Sequence, residues 1–368
     1  MKNVLLVIRW VVGLLFIFSG LVKANDPLGL SYKMQEFFEV WSLHGFNDYT
    51  LTLSLVMNVF EVLAGVAVII GWRMKLFSWL LLLLIVFFTF LTGYALFSGK
   101  IKTCGCFGDC LPLTALQSFL KDIFLLILIL VLFIFHKRIV SAVPQVTAMM
   151  LLLLVVMGTA AGQIYVLKHL PVVDCLPYKT GNNILDEMKT PPNAILDSLS
   201  IIFQYKKNGK EISFDQAHFP DDFDSTYEYV DRRDVVVRKG NGLQPKILDF
   251  SLQTLSGADT TQAIFATTGN YMLAMIKDMV AYPYWKKDFE EIRAAAAQKH
   301  LPVIIVTGDA AKSQLAFPGL PIVTCDVTVI KTAARATPTF LIMQGATIIS
   351  KNSYADADKV KQAIDQLK

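Results

Sequence analysis

Five runs of nearly continuous apolar residues, each close to twenty long, fill most of the chain up to Lys168: Val4 to Leu21, Leu51 to Ile70, Leu76 to Phe97, Leu116 to Phe135 and Ala148 to Leu167. A helix rising 1.5 Å per residue needs about 20 residues to cross ~30 Å of hydrocarbon, so each run predicts one membrane span. No small-residue cleavage site follows the first run, which reads as a retained span. After Lys168 the runs shorten to strand length. Ile201–Tyr205 and Glu211–Phe214 flank the turn Lys207-Asn208-Gly209-Lys210, and Asp234–Arg238 is a further β-like run. From about Lys246 strands and helices alternate: Tyr271 to Ile276, then the amphipathic Trp285 to Lys299, then Leu301 to Val306. This order predicts a parallel strand pair with a crossover helix. Thr337 to Ile342, a turn at Gly345, Ala346 to Ser350 and a closing helix Ala355 to Leu367 complete an order that resembles a thioredoxin fold. The predicted fold class is a membrane α-helical bundle of four helices plus a fifth span, joined to an α/β thioredoxin-like soluble domain. The expected divisions are 1–138 for the four-helix membrane domain, 139–170 for the fifth span, 171–245 for a β-rich connecting region and 246–368 for the α/β domain.

Composition narrows the class further. With 54% hydrophobic and 17% charged residues and a mean hydropathy of +0.50, the chain is neither an ordinary soluble domain nor a disordered one. A net charge of +4 without a Lys/Arg-rich block excludes nucleic acid as a partner. Lys2, Arg73, Lys75, Lys137 and Arg138 gather in short segments on one side of the spans, whereas Lys23, Lys33, Lys100 and Lys102 are spread over longer ones. The positive-inside rule then predicts an inner-membrane protein with a cytoplasmic amino terminus. The loop Thr103 to Cys110 and everything after Lys168 fall outside the cytoplasm.

The strongest chemical signal is Cys104-Gly105-Cys106-Phe107-Gly108-Asp109-Cys110, which holds three of the five cysteines. In an oxidising compartment such thiols are rarely idle. Cys104 with Cys106 closes a small, readily exchanged ring, and Cys104 with Cys110 closes a less strained one. Lys100 and Lys102 favour thiolates and Asp109 opposes them. Three readings stay open: a redox loop in which Cys104, Cys106 and Cys110 act, a structural disulfide, and a metal site, the last weakened by the absence of His. Cys175, eight residues beyond the fifth span, is a candidate relay near the same membrane surface, or else a lone thiol or an unused partner for Cys110. Cys325 lies on an apolar run and reads as a small core hydrophobe. Arg9 and Glu61 fall inside apolar runs, where an unpaired charge costs at least ~2.5 kcal/mol, so both are expected to face the bundle interior and to pair with each other; Arg9 alternatively snorkels to its near end. Lys121 and Asp122 either tune a thiol or cap the fourth span.

Arg9-Trp-Val-Val-Gly13, Ser19-Gly20-Leu-Val-Lys23, Glu61 with Gly65, and Cys104-Gly-Cys-Phe-Gly108 together resemble the DoxX-like and MauE-like membrane proteins over about residues 1–138. MauE is associated with disulfide formation in methylamine dehydrogenase, so the resemblance implies a membrane partner in thiol-disulfide exchange. Lys121-Asp122 departs from the Arg-Asn pair of the family pattern. About residues 247–368 resemble TlpA-type thioredoxin-like domains, through Asp249-Phe-Ser-Leu252, Gly257 and Thr337-Pro338-Thr339, the last similar to a loop bearing a cis-proline. Where such domains carry Cys-x-x-Cys, this chain reads Met279-Val-Ala-Tyr-Pro-Tyr-Trp285. Without a nucleophilic thiol there, the resemblance implies a binding role, with Tyr282, Tyr284, Trp285 and Pro338 receiving a partner; ordinary core packing by the aromatics is the other reading.

The function expected from these features is thiol-disulfide electron transfer with extracytoplasmic protein thiols or disulfides, Cys104 and Cys106 exchanging and Cys110 resolving or structural. The sequence shows no resident cofactor or metal site and leaves a quinone or a protein dithiol open as electron acceptor. A non-enzymatic membrane-anchored scaffold is the competing class. A small-molecule transporter has only Arg9 and Glu61 to support it.

Overall fold

The computed structural model describes residues 2–101, 105, 107–195, 198–238, 240 and 243–367. It forms two compact units, Met1–Gly181 with Ser251–Lys368, and Asn182–Phe250. The first unit opens with α1 (Lys2–Asn25), α2 (Pro27–Val40), α3 (Thr50–Ile70), α4 (Met74–Ser98), α5 (Ala115–Ile134) and α6 (Gln145–His169). Among the described residues five helical stretches are long and apolar enough to cross a bilayer: α1, His44–Ile70 ending in α3, α4, α5 and α6. Val12, Phe16, Leu81, Ile85, Ile129 and Leu132 are buried between them, while Val7, Leu14, Phe90, Ile127 and Leu153 point outward, exposed. An apolar outer surface of this extent is what lipid contact requires. The protein is an integral membrane protein.

Small residues bring α1 and α3 together. A Cβ on Gly65 would meet the Gly13 carbonyl oxygen at 2.6 Å and the Ile17 nitrogen at 3.0 Å, so the two backbones touch where neither residue has a side chain. The apolar-run pattern does not reveal α2, whose 14 residues mix polar and apolar positions. Its start is set locally: the Asp26 side chain accepts from the Gly29 amide at 3.0 Å, and Pro27 occupies the first turn, where its missing N–H costs nothing.

The second unit holds α7 (Ile184–Glu187), β1 (Ser198–Lys207), β2 (Lys210–Asp215) and β3 (Tyr227–Arg238), an antiparallel sheet in the order β2-β1-β3. Asn208 and Gly209 both take positive φ, 51° and 78°, the turn predicted from the sequence for the β1–β2 hairpin. Tyr205 stacks on Phe214 at 5.4 Å, and Phe219 and Phe223 extend that cluster.

The chain then returns to the first unit as α8 (Thr261–Phe265), β4 (Asn270–Ile276), α9 (Tyr282–Gln298), β5 (Val303–Thr307), α10 (Ala310–Ala316), β6 (Ile322–Thr324), α11 (Val327–Ala333), β7 (Thr339–Gln344), β8 (Thr347–Ser353) and α12 (Ala357–Asp365). The sheet order is β6-β5-β4-β7-β8. β4, β5 and β6 are parallel, and β7 and β8 run antiparallel to their neighbours. α9 crosses between β4 and β5 as the alternation of the sequence predicts, and with α12 it buries Phe289, Ile292, Val360 and Ile364 against the sheet. A membrane helical region is thus joined to an α/β sheet domain.

Candidate functional site

Cys110 and Cys175, separated by 65 positions in sequence, form a disulfide with Cα atoms 4.9 Å apart, within the ordinary range for such bridges. It ties the chain between α4 and α5 to the segment following α6. Cys175, a relay candidate on sequence grounds, is therefore bonded to Cys110. Cys104 and Cys106 lie outside the described residues. Cys325 is free and buried, and burial pushes its thiol up to about 11, which leaves it unreactive near neutrality. Among the described residues no cluster of His, Cys, Asp and Glu could hold a metal ion.

Arg9 and Glu61 do not meet. The antiparallel packing that sets Gly13 against Gly65 and Gly20 against Val62 puts Arg9 at the last turn of α3, where its Nε donates to the Val68 carbonyl at 3.0 Å and a second nitrogen donates to that of Ile69. The Val68 carbonyl also accepts from the Gly71 amide at 3.1 Å, and both carbonyls lie at the negative end of the helix dipole. Glu61 instead pairs with Lys23, both almost wholly buried. In the sequence Lys23 reads as a charge of the following segment and as the end of the family-like run Ser19–Lys23, with no sign of its partner; its four-residue spacing from Ser19, both on one helical face, is the available signal. One turn away, Asn58 Nδ2 donates to Gln163 Oε1 at 2.9 Å and links α3 to α6. Asp122 is fully buried; Thr92 Oγ1 donates to it at 3.0 Å, and Lys121 Nζ lies 2.8 Å away. The cap of α5 belongs to Thr114, whose hydroxyl accepts from the Gln117 amide while the Gln117 side chain accepts from the Thr114 amide.

Between α1, α2, α3, α4 and α5 lies a cavity of about 210 Å³. Its walls are mainly apolar and aromatic, including Phe16, Phe37, Trp41, Phe88 and Leu91. Ser19, Lys23, Lys33, Thr92, Lys121 and Asp122 supply its polar positions, and Gly105 and Phe107 of the cysteine loop close one side. Phe107 is held by the Phe18 ring at 5.6 Å and by the Lys121 ammonium 5.0 Å from its centroid.

The α/β domain is fastened to this same end of the bundle. Arg335 reaches Asp26 with Nε at 2.8 Å and Asp109 with a terminal nitrogen at 2.7 Å, and it donates to the Lys331 carbonyl at 2.7 Å. Burial works against its charge, but Asp26 and Asp109 outweigh that and hold its pKa above the ordinary value. Tyr32 of α2 lies beneath the guanidinium, 5.4 Å from ring centroid to Cζ, and burial raises its phenol to about 12. Lys351 of β8 pairs with Asp174 at 2.7 Å; burial pulls this lysine below its usual range although Asp174 opposes the shift. The Thr337-Pro338 peptide is cis and precedes β7. Of the three aromatics expected to form a docking surface with Pro338, Trp285 has no exposed area and packs in the core against Tyr282 and Phe317. Tyr284 is 84% exposed and Tyr282 half-buried. They do not form one surface, because the first turn of α9 turns Trp285 inward and Tyr284 out.

Residues 1–135 match the family model of the methylamine utilisation protein MauE. Residues 199–239 match the model of a domain of unknown function, DUF8463. No curated protein and no solved structure matches the chain. Four of the five spanning helices, from α1 to the end of α5, therefore make up a MauE-like membrane domain.

Proposed function

We propose that this protein exchanges disulfides with extracytoplasmic proteins through Cys104 and Cys106. Of five cysteines, Cys110 and Cys175 are bonded to each other and Cys325 is sealed in the core, which leaves Cys104 and Cys106 as the pair for exchange. The observation that carries the reading is that Gly105 and Phe107, which alternate with those cysteines in sequence, line a cavity bounded by the spanning helices α1, α3, α4 and α5 and by α2. In the exchange a thiolate of a protein dithiol attacks the Cys104–Cys106 bond, a mixed disulfide forms, and the second protein thiol resolves it. The protein leaves with a disulfide and the loop with two thiols. The Cys110–Cys175 bridge acts as a staple that fixes the loop against the segment after α6. We assign the amino terminus to the cytoplasm of an inner membrane, and the cysteine loop with the α/β domain to the opposite side, on the basic-residue distribution. The α/β domain is proposed to be thioredoxin-like without its own dithiol; the strand order supports this. Its role is to hold and shield the loop.

Thiol trapping of the purified protein across redox buffers tests the reading. A Cys104–Cys106 bridge in exchange is expected to be reduced near about −120 to −270 mV. Cys104→Ser and Cys106→Ser variants are expected to insert normally and to lose exchange with a reporter dithiol. A bridge that stays closed well below about −300 mV, or undiminished exchange in both variants, would favour a non-enzymatic scaffold.

A further inference from the structure

Resting on the exchange reading, we propose that the cavity bounded by α1 to α5 binds the ring of a quinone, the two-electron acceptor for the loop dithiol. Size is the first argument. At about 210 Å³ the space exceeds an apolar cavity of ~150 Å³ that admits benzene and falls below the roughly 300–1,000 Å³ of a drug-sized site. One substituted six-membered ring fits, with any long chain leaving between the helices. The walls suit a planar ring, since Phe37 of α2, Trp41 just after it and Phe88 of α4 line the space and aromatic faces stack on flat π-systems.

The polar edge decides against a plain hydrocarbon occupant. Lys23 of α1 and Lys121 of α5 both reach the cavity, and each is tied to a buried carboxylate, Glu61 and Asp122. Buried ions are costly in the hydrocarbon layer and are placed there for a polar ligand or for proton traffic. A lipid tail has no atom for them to bind. A quinone has two opposed carbonyl oxygens that accept hydrogen bonds and become hydroxyls on reduction. Ammonium donors on two different helices match that demand, and they stabilise negative charge as it develops on the oxygens. The location favours an acceptor carried in the lipid over a protein one for this second step, because most of the walls, those from α1, α3, α4 and α5, belong to spanning helices.

The step balances. The thiols of Cys104 and Cys106 lose two electrons and two protons and form one S–S bond. The quinone gains both electrons and both protons and leaves as the quinol.

The test uses the full-length protein in nanodiscs of quinone-free lipid, titrated with decylubiquinone while tryptophan emission is followed. The expected result is a saturable quench that disappears in Trp41→Phe and weakens at least tenfold in Leu91→Phe, which fills the cavity. Lys121→Met, which keeps the shape, is expected to weaken it several-fold. Cys104→Ser/Cys106→Ser is expected to bind normally yet form no quinol from a supplied dithiol. Absence of saturable quenching while disulfide exchange persists would overturn the quinone assignment and leave the exchange reading standing. Equal displacement by decanol, or binding without dithiol-dependent quinol formation by the wild type, would also overturn it.

Discussion

Lys23 and Glu61 are both almost wholly buried in the bundle, and removing one of two such charges is far worse than removing both. Truncating one partner of a buried pair typically costs 3–5 kcal/mol, because the other stays desolvated and unpaired, whereas replacing both with apolar groups is often near neutral. Glu61→Leu or Lys23→Met alone is therefore expected to destabilise the protein by about 3–5 kcal/mol, and the double variant to recover most of that. Unfolding in mixed micelles measures it; additive losses would show that the two side chains do not depend on each other. Cys325 carries a pH effect of definite sign. Its thiol is raised from the ordinary 9.0 to about 11 by burial, so the unfolded chain loses that proton first. The resulting stability is fully present below pH ~9 and is lost as pH rises through about 11, amounting to roughly 3 kcal/mol. Cys325→Ala should flatten the stability profile in that window and leave it unchanged at pH 7, relative to its own baseline. Parallel profiles for the two proteins would remove the buried thiol as the cause.

At the scale of elements, the contact of α1 with α3 rests on glycine backbones. Because a Cβ at Gly65 would press on main-chain atoms of α1 at 2.6 and 3.0 Å, neither of which can turn aside, the helices have to separate. Gly65→Ala is expected to cost about 1–3 kcal/mol, the usual penalty of overpacking. Gly158→Ala in α6, where nothing lies within 4 Å, is expected to be neutral or slightly stabilising, since alanine is the better helix former. Melting of the two variants checks both, and equal behaviour would show that α1 and α3 adjust freely. The five spans and the order of strands and helices in the α/β domain were legible because each follows a period, continuous apolar for spans and alternating grammar for βαβ. α2 was not, since its run is short and mixed; only Asp26-Pro27 at its start marks it. The site was legible in part. The cysteine loop and Glu61 stand out by residue type, but the partner of Glu61 depends on the register of two antiparallel helices 38 residues apart, which no local pattern encodes. Arg335 was missed for the same reason: its carboxylates lie 309 and 226 residues away.

For the molecule as a whole, two ties meet at the cysteine loop. The disulfide closes a separation of 65 residues, for which chain entropy gives about 4 kcal/mol of stabilisation. Cys110→Ser/Cys175→Ser is expected to lose about 2–4 kcal/mol while the loop keeps Cys104 and Cys106. The second tie is Arg335, almost without exposed area, which grips α2 through Asp26 and the loop through Asp109. Its planar fork serves two carboxylates at once, a geometry that a lysine cannot reproduce. Arg335→Met strands both carboxylates beneath the α/β domain, so the favoured response is for the domain to lift until water reaches them. Hydrogen exchange should then quicken in α2 and around Thr337–Pro338 while α5 and α6 stay protected. Arg335→Lys should restore only part of the protection, and added salt should change little in the wild type, since a buried pair is poorly screened. If Arg335→Met leaves α2 as protected as before, the domain is held by other contacts and the shielding role assigned to it loses its basis.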